Sequence, residues 1–337
     1  MITIEHLSKS FWGDKGPVLA LRDVTLDVGD GAIAGVVGPS GSGKSTLARL
    51  LALQDRPDSG SIRFNGVDTV GLDSRRLRET KRLIGTVTGE DKLVAQRTAA
   101  GNIALPLEQA GIDGPQRRNK VGTLLDLIGL TDAAGAHPDT LSPGQQRRIA
   151  LARALVGNPS VLLADDVTAG LDADAGVGVL TALDRARAEL GVTVLLATTD
   201  AGAVRRVADD VAILDGGRVV ESGTLLDLIK DPSSRAANTL LPALDPLPAA
   251  TSARHDRIAE VLLVGFAAVG ALLPEAGARF GVDIAVLGGG LTRLGDTPVA
   301  RFRVGVTGER ADATLAWITE RGGHVHREPT GPQGVAA

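Results

Sequence analysis

The run Gly38-Pro39-Ser40-Gly41-Ser42-Gly43-Lys44-Ser45 constrains this chain more than any other feature. It fits G-x-x-x-x-G-K-[ST] at every fixed position. It also follows an apolar run, Ile33-Ala34-Gly35-Val36-Val37, and precedes a helical one, Thr46-Leu47-Ala48-Arg49-Leu50-Leu51. Such a loop needs both neighbours. The glycines let backbone N–H groups turn toward a phosphate, and the helix N-terminus adds a favourable dipole. Residues Gly38 through Thr46 are therefore expected to cradle phosphates. Lys44 would reach the β- and γ-phosphates, and the Ser45 hydroxyl would ligate Mg²⁺.

Two further β-branched apolar runs, Val161-Leu162-Leu163-Ala164 and Val192-Thr193-Val194-Leu195-Leu196-Ala197, read as buried parallel strands. The first ends in Asp165-Asp166. An apolar strand closing on carboxylates is the Walker B pattern, in which Asp165 would hold Mg²⁺ through water. Between Ile33–Val37 and Val161–Ala164 lies a mostly helical stretch, a helical insertion of about 92–156 in an α/β core. Leu241 to Ala250 holds three prolines and no helical or strand period, and reads as a semi-extended linker. The expected division is 1–240, a linker at 241–253, and a second domain at 254–329. In that domain Ile258–Gly265, Val282–Leu287, Val299–Val306 and Gly323–Arg327 read as strands, with Leu272–Phe280 and Ala311–Arg321 as helices. The order β-α-β-β-α-β is ferredoxin-like. Gly288-Gly289-Gly290 reads as a flexible hairpin tip or as the rim of a ligand cleft.

Composition narrows the roles. A net charge of −4 gives no reason to expect nucleic acid as a partner. The absence of cysteine removes disulfides, thiolate zinc sites and thiol nucleophiles, and fits a cytoplasmic protein. No secretory signal is expected at the start of the chain. The apolar run from Val261 to Pro274 falls short of the roughly 20 residues a spanning helix needs, so a membrane role would be peripheral, through a partner.

Leu141-Ser142-Pro143-Gly144-Gln145, upstream of the Asp165 strand, resembles the signature motif of ABC-type ATPases, and Ala169-Gly170-Leu171-Asp172 resembles their D-loop. With the phosphate loop, these motifs span nearly the whole first domain. The resemblance implies an α/β P-loop NTPase with a RecA-like core and a helical ABC subdomain, followed by a small α+β ferredoxin-like domain. It implies ATP and Mg²⁺ as cofactors and a head-to-tail dimer, as a homodimer or a heterodimer. Each ATP would touch one subunit's phosphate loop and the other's Ser142, Gly144, Gln145 and Asp172. Phe11 or Trp12 lies where the family stacks an aromatic on adenine, and an ordinary apolar strand-end residue fits there equally well. The C-terminal half and the phrase Gly101-Asn102-Ile103-Ala104-Leu105-Pro106-Leu107-Glu108 resemble the methionine-import ATPases. That resemblance implies permease subunits, an extracytoplasmic binding protein, a location at the cytoplasmic face of the membrane, and a C-terminal domain that binds methionine and inhibits import. A dimerisation module without a ligand is the other reading of that domain.

Positions that the family uses for hydrolysis depart from its pattern. Asp166 stands where a glutamate polarises the attacking water. The missing methylene withdraws the carboxylate by roughly 1.5 Å, and about 1 Å can cost on the order of a hundredfold in rate. Thr199 stands at the switch histidine and Gly89 at the glutamine of the Q-loop, with Glu90 beside it as an anion in place of an amide. Pro143 replaces a signature glycine and suits a first helical turn. Two functions follow: an amino-acid importer ATPase, or a slow or non-hydrolysing ATP-binding subunit paired with an active partner.

Overall fold

Every residue of Ile33–Val37 is buried, as a strand covered on both faces must be. The computed structural model describes residues 1–13 and 16–327 and divides the chain into two units, Met1–Thr224 and Leu225–Ala337. In the first unit β1 (Ile2–Gly13) pairs antiparallel with β2 (Gly16–Val28). The buried pentapeptide is β3, and α1 (Lys44–Leu51) follows it. Next come β4 (Ser59–Phe64), β5 (Val67–Asp68), α2 (Ser74–Arg82) and β6 (Ile84–Thr88). The helical stretch holds α3 (Ala99–Gln109), α4 (Gly114–Leu127) and α5 (Pro143–Leu155), capped by the side chains of Thr98, Asp113 and Ser142. Then β7 (Val161–Asp165), α6 (Ala173–Leu190), β8 (Thr193–Thr198), α7 (Ala201–Val207), β9 (Asp210–Asp215) and β10 (Arg218–Thr224) complete the unit.

Two sheets result. One is antiparallel, in the order β2-β1-β4-β5; the other runs β10-β9-β3-β8-β7-β6 and is parallel apart from β10. Residues of the parallel strands alternate between two cores. Leu162, Ala164, Val194 and Leu196 join the core with α3, α4 and α5, whereas Val161, Leu163, Leu195 and Ala197 join the one with α1 and the antiparallel sheet. That is why these strands read as continuous apolar runs with no alternation.

Register fixes the ends. Val37 lies opposite Thr198, Ala197 opposite Asp165, and Asp165 opposite Thr88. The residues that follow β3, β8, β7 and β6 therefore emerge along one edge, the carboxyl ends of parallel strands where such folds hold ligands.

The second unit begins with α8 (Leu225–Leu228), α9 (Arg235–Leu240) and α10 (Ala249–Ser252). Its body is β11 (Arg257–Val264), α11 (Phe266–Val269), α12 (Leu272–Phe280), β12 (Asp283–Leu294), β13 (Thr297–Thr307), α13 (Ala311–Glu320) and β14 (His324–Arg327). The strands form one antiparallel sheet in the order β12-β13-β11-β14, the ferredoxin-like arrangement. The expected end at 329 lies outside the described residues. The division at Thr224 falls before the sequence-expected boundary at 240, for a physical reason. Arg301, only 4% exposed, donates from Nη2 to Asn238 Oδ1 at 2.7 Å and from Nη1 to the Ala237 and Pro242 carbonyls at 3.4 Å. These bonds bind α9 and the proline-rich stretch to the C-terminal sheet.

The hairpin-tip reading of Gly288-Gly289-Gly290 is corrected. All three lie inside β12, after an irregularity between Val286 and Gly288, and the turn falls at Gly295-Asp296. Gly289 has φ +98°, and a Cβ there would stand 2.0 Å from the Arg301 carbonyl oxygen. The glycine is needed for a bulge in close backbone contact.

Arg301 Nε also donates to Glu260 Oε1 at 2.6 Å, a buried pair. Glu260→Ala is expected to cost about 3–5 kcal/mol, because it strands a buried guanidinium, and the joint Glu260→Leu/Arg301→Met change to cost much less. Urea unfolding of the full chain, followed by Trp317 fluorescence, measures both.

Candidate functional site

The phosphate loop leaves β3 at Gly38, whose own Cβ would sit 2.0 Å from the Leu214 carbonyl oxygen of β9. A side chain there would push the loop off the sheet. Gly41 and Gly43 adopt positive φ (+79° and +108°), and Gly43 caps α1. Pro39, Ser40 and Gly41 are exposed and Ser42 is buried, so the loop presents backbone to solvent above a fixed base. Lys44 is 4% exposed. Its Nζ donates to the carbonyls of Gly38 (2.8 Å) and Pro39 (2.9 Å). Burial lowers its pKa, and the charges of Asp166 and Asp165 oppose that shift. The ammonium is thus bound to its own loop and lies within the field of the two carboxylates. Thr46 is half-buried on the first turn of α1.

Asp165 ends β7. The Ser45 hydroxyl is close enough to act on its carboxylate, while Oδ1 is buried without a hydrogen-bond partner. Burial raises the Asp165 pKa; the Ser45 hydroxyl lowers it, the Asp166 charge raises it, the Lys44 charge lowers it, and the Glu90 charge adds to the rise. An orphaned carboxylate oxygen beside a serine hydroxyl fits Mg²⁺, an ion that takes one or two protein oxygens and completes its shell with water and phosphate. Among the described residues, no group of three or more His, Cys, Asp or Glu gathers as a metal cluster.

Asp166 has φ +48°, in the left-handed region. Its backbone N–H donates to the Ala197 carbonyl at 2.8 Å, and its Oδ1 accepts the Thr199 N–H at 3.1 Å. Thr199 itself is exposed. Gly89 N–H donates to the Asp165 carbonyl at 2.8 Å. A Cβ at 89 would meet the Asp166 carbonyl oxygen at 2.6 Å and Arg147 Nη1 at 3.2 Å. The structure thus brings Gly38–Thr46, Asp165, Asp166, Thr199 and Gly89 to one edge. Phe11, 37% exposed, lies in β1 under the Lys9 ammonium, 5.4 Å from the ring centroid, and Trp12 is 87% exposed.

The signature residues lie elsewhere. Ser142 Oγ accepts the Gln145 N–H at 3.3 Å, and Gln145 Oε1 accepts the Ser142 N–H at 2.8 Å, a reciprocal cap on α5 with Pro143 at its first position. Gly144 packs on α6, where its Cβ would meet Ala175 Cβ at 2.8 Å. Asp172 caps α6 through the Ala175 N–H at 2.8 Å. These groups bind each other and α6, not the phosphate loop. Arg147, one turn into α5, was not singled out by the sequence. It donates to the Thr88 carbonyl at 2.8 Å, a contact that no local pattern signals.

The ABC transporter family model matches residues 21–169, and the NIL domain model matches 257–327. The chain is 40% identical to a methionine import ATP-binding protein of Rhodococcus jostii over 94% of each chain. It is likewise 40% identical to that of Thermobifida fusca, over 98% of this chain and 100% of the relative. Among solved structures, a dimeric ABC cassette in a post-hydrolysis state bound to ADP and phosphate matches with TM-score 0.60 and 31% identity. It covers 66% of this chain and 98% of its own.

The raised pKa of Asp165 carries a sign. An acid whose folded pKa lies above its unfolded value lowers stability as pH rises through that window, and the penalty is complete above the folded pKa. Asp165→Asn is therefore expected to leave the nucleotide-free protein at least as heat-stable as the native chain at neutral pH. The same change is expected to abolish the additional stabilisation by Mg²⁺ with ATP. Thermal unfolding with and without each ligand checks both halves.

Proposed function

The chain belongs to the ABC transporter family of ATP-binding subunits, and on that premise we propose that it couples ATP binding and hydrolysis to import of methionine or a related amino acid. The observation that carries this reading is the shared strand edge. There the backbone of 38–45, the Lys44 ammonium, the Ser45 hydroxyl and the Asp165 carboxylate converge. In this reading the loop N–H groups and Lys44 bind the phosphates, Ser45 and Asp165 hold Mg²⁺, and Phe11 packs on adenine. Bound Mg²⁺ supplies charge neutralisation and orientation of the terminal phosphates.

Ser142, Gly144, Gln145 and Asp172 lie on the caps of α5 and α6 and bind nothing in their own phosphate loop. This supports a head-to-tail dimer in which a second subunit, of this chain or of another, completes each site. ABC cassettes of importers dimerise and work with transmembrane permease subunits, and no helix of the described residues is long and apolar enough to cross a membrane. We place the chain at the cytoplasmic face of the cell membrane, beside a permease that an extracytoplasmic binding protein supplies. The C-terminal NIL domain is regulatory, and methionine is its proposed ligand.

The hydrolytic step is proposed to be slow. The short Asp166 carboxylate accepts the Thr199 N–H, Thr199 offers only a hydroxyl in place of an imidazole, and Gly89 offers no side chain. Attack by water needs a carboxylate at hydrogen-bond reach of that water. Steady-state ATP hydrolysis and ATP affinity, measured together, test the reading. Lys44→Ala is expected to abolish both. Asp166→Glu is expected to raise kcat by about tenfold or more, because it returns the carboxylate roughly 1 Å or more toward the phosphate. Native turnover untouched by Lys44→Ala would overturn the proposal.

A further inference from the structure

The turn after β6 is held from α5 by arginines. Arg147 Nη1 donates to the Thr88 carbonyl at 2.8 Å, and Arg153 Nη1 to the Lys92 carbonyl at 3.0 Å. Within the turn, Thr88 N–H donates to Asp91 Oδ2 at 3.0 Å, and Asp91 N–H returns to the Thr88 carbonyl at 3.3 Å. Burial lowers the Arg147 pKa while the Asp91 charge supports it, so the guanidinium sits half-buried over this turn. The other side of the turn backs onto the Mg²⁺ carboxylate: Gly89 N–H donates to the Asp165 carbonyl, and Glu90 acts on Asp165 through charge.

Gly89 leaves no room for anything else. A Cβ would strike the backbone oxygen of Asp166 at 2.6 Å, and beyond it stands Arg147 Nη1 at 3.2 Å. The end of the Arg147 side chain thus stands against position 89. The geometry points to Arg147 as a positioning residue for nucleotide turnover. Its bond to Thr88 fixes the 88–91 turn, and through Gly89 that turn fixes the end of β7 that bears Asp165 and Asp166. The inference rests on the ATPase reading above. It adds that the helix capped by Ser142 and the Mg²⁺ carboxylate are joined by an arginine and backbone bonds, with no side chain at 89. Groups that orient a metal ligand from behind act on affinity for the metal and on rate.

The test uses the full chain with Arg147→Met and Arg147→Lys, measuring kcat and KM for ATP, and the affinity of a fluorescent ATP analogue with and without Mg²⁺. Thermal unfolding of each variant gives the folded fraction. Arg147→Met is expected to lower kcat by about tenfold, with KM changed by less than about threefold. It is also expected to reduce the gain in analogue affinity that Mg²⁺ confers by about threefold or more, with Mg²⁺-free affinity unchanged. Arg147→Lys, which keeps one charged donor to Thr88, is expected to recover most of both. Gly89→Gln is expected to lower turnover, because the added Cβ displaces Asp166. The inference is overturned if Arg147→Met matches the native protein in kcat and in the Mg²⁺ gain, or if every parameter falls only with the folded fraction and lysine rescues nothing. If the native protein binds the analogue but does not turn ATP over, the hydrolysis reading fails on its own. The Mg²⁺ gain then decides the role of Arg147.

Discussion

The parallel register of β3, β8, β7 and β6 is the constraint on which the rest of the first unit depends. Val37 opposite Thr198, Ala197 opposite Asp165 and Asp165 opposite Thr88 place the ends of all four strands in line. A shift of one residue would turn every buried side chain to the other core. Because β3, β7 and β8 are buried on both faces, that shift is opposed along their length. The site is thus positioned by packing far below it, and its own residues are free to be polar, short or left-handed.

Electrostatics then sets a cost at the edge. Asp165 carries a buried oxygen with no partner, and the pKa of Lys44 is held down by burial even with two carboxylates close by. Neither group is at its most comfortable in the nucleotide-free protein. The strain is of the kind that a polyphosphate and a divalent cation relieve together. A bound phosphate would compete with the Gly38 and Pro39 carbonyls for Lys44, and a cation would be held by the open oxygen of Asp165. Binding sites built this way give up some stability of the empty protein for affinity toward one charge pattern.

Much of this was legible in the sequence because the signals are local. The phosphate loop, its strand and its helix are contiguous, and Leu272–Phe280 has the same bounds in the sequence reading and in the structure. The Ser142 cap, with Gln145 three residues on, is likewise a short-range pattern. What escaped was set by contacts distant along the chain. Arg301 binds Ala237 and Asn238, and this carries α9 into the second unit ahead of the prolines that suggested a boundary. Gly288-Gly289-Gly290 has the composition of a turn, yet the partner strand places it inside β12, where Gly289 admits the Arg301 carbonyl. Arg147 reaches Thr88 across 59 residues. Glycine and arginine carry little information about role until the opposing backbone is known.

The departures from the family's hydrolysis pattern acquire a different meaning in three dimensions. In sequence Gly89, Asp166 and Thr199 are separate substitutions in separate motifs. In the structure they follow three adjacent strands, β6, β7 and β8, and they touch: the Asp166 carbonyl lies against Gly89, and the Asp166 carboxylate accepts the Thr199 N–H. The loop after β3, proposed to bind phosphate, matches its pattern at every fixed position. Change is confined to one side of the edge, among residues in contact, and contacting residues do not contribute additively. Asp166 at φ +48° presents its carbonyl to position 89, so the missing side chain there and the geometry at Asp166 depend on each other. The three positions are therefore best regarded as one altered surface against which the terminal phosphate would lie, and Arg147 stands at its Gly89 end.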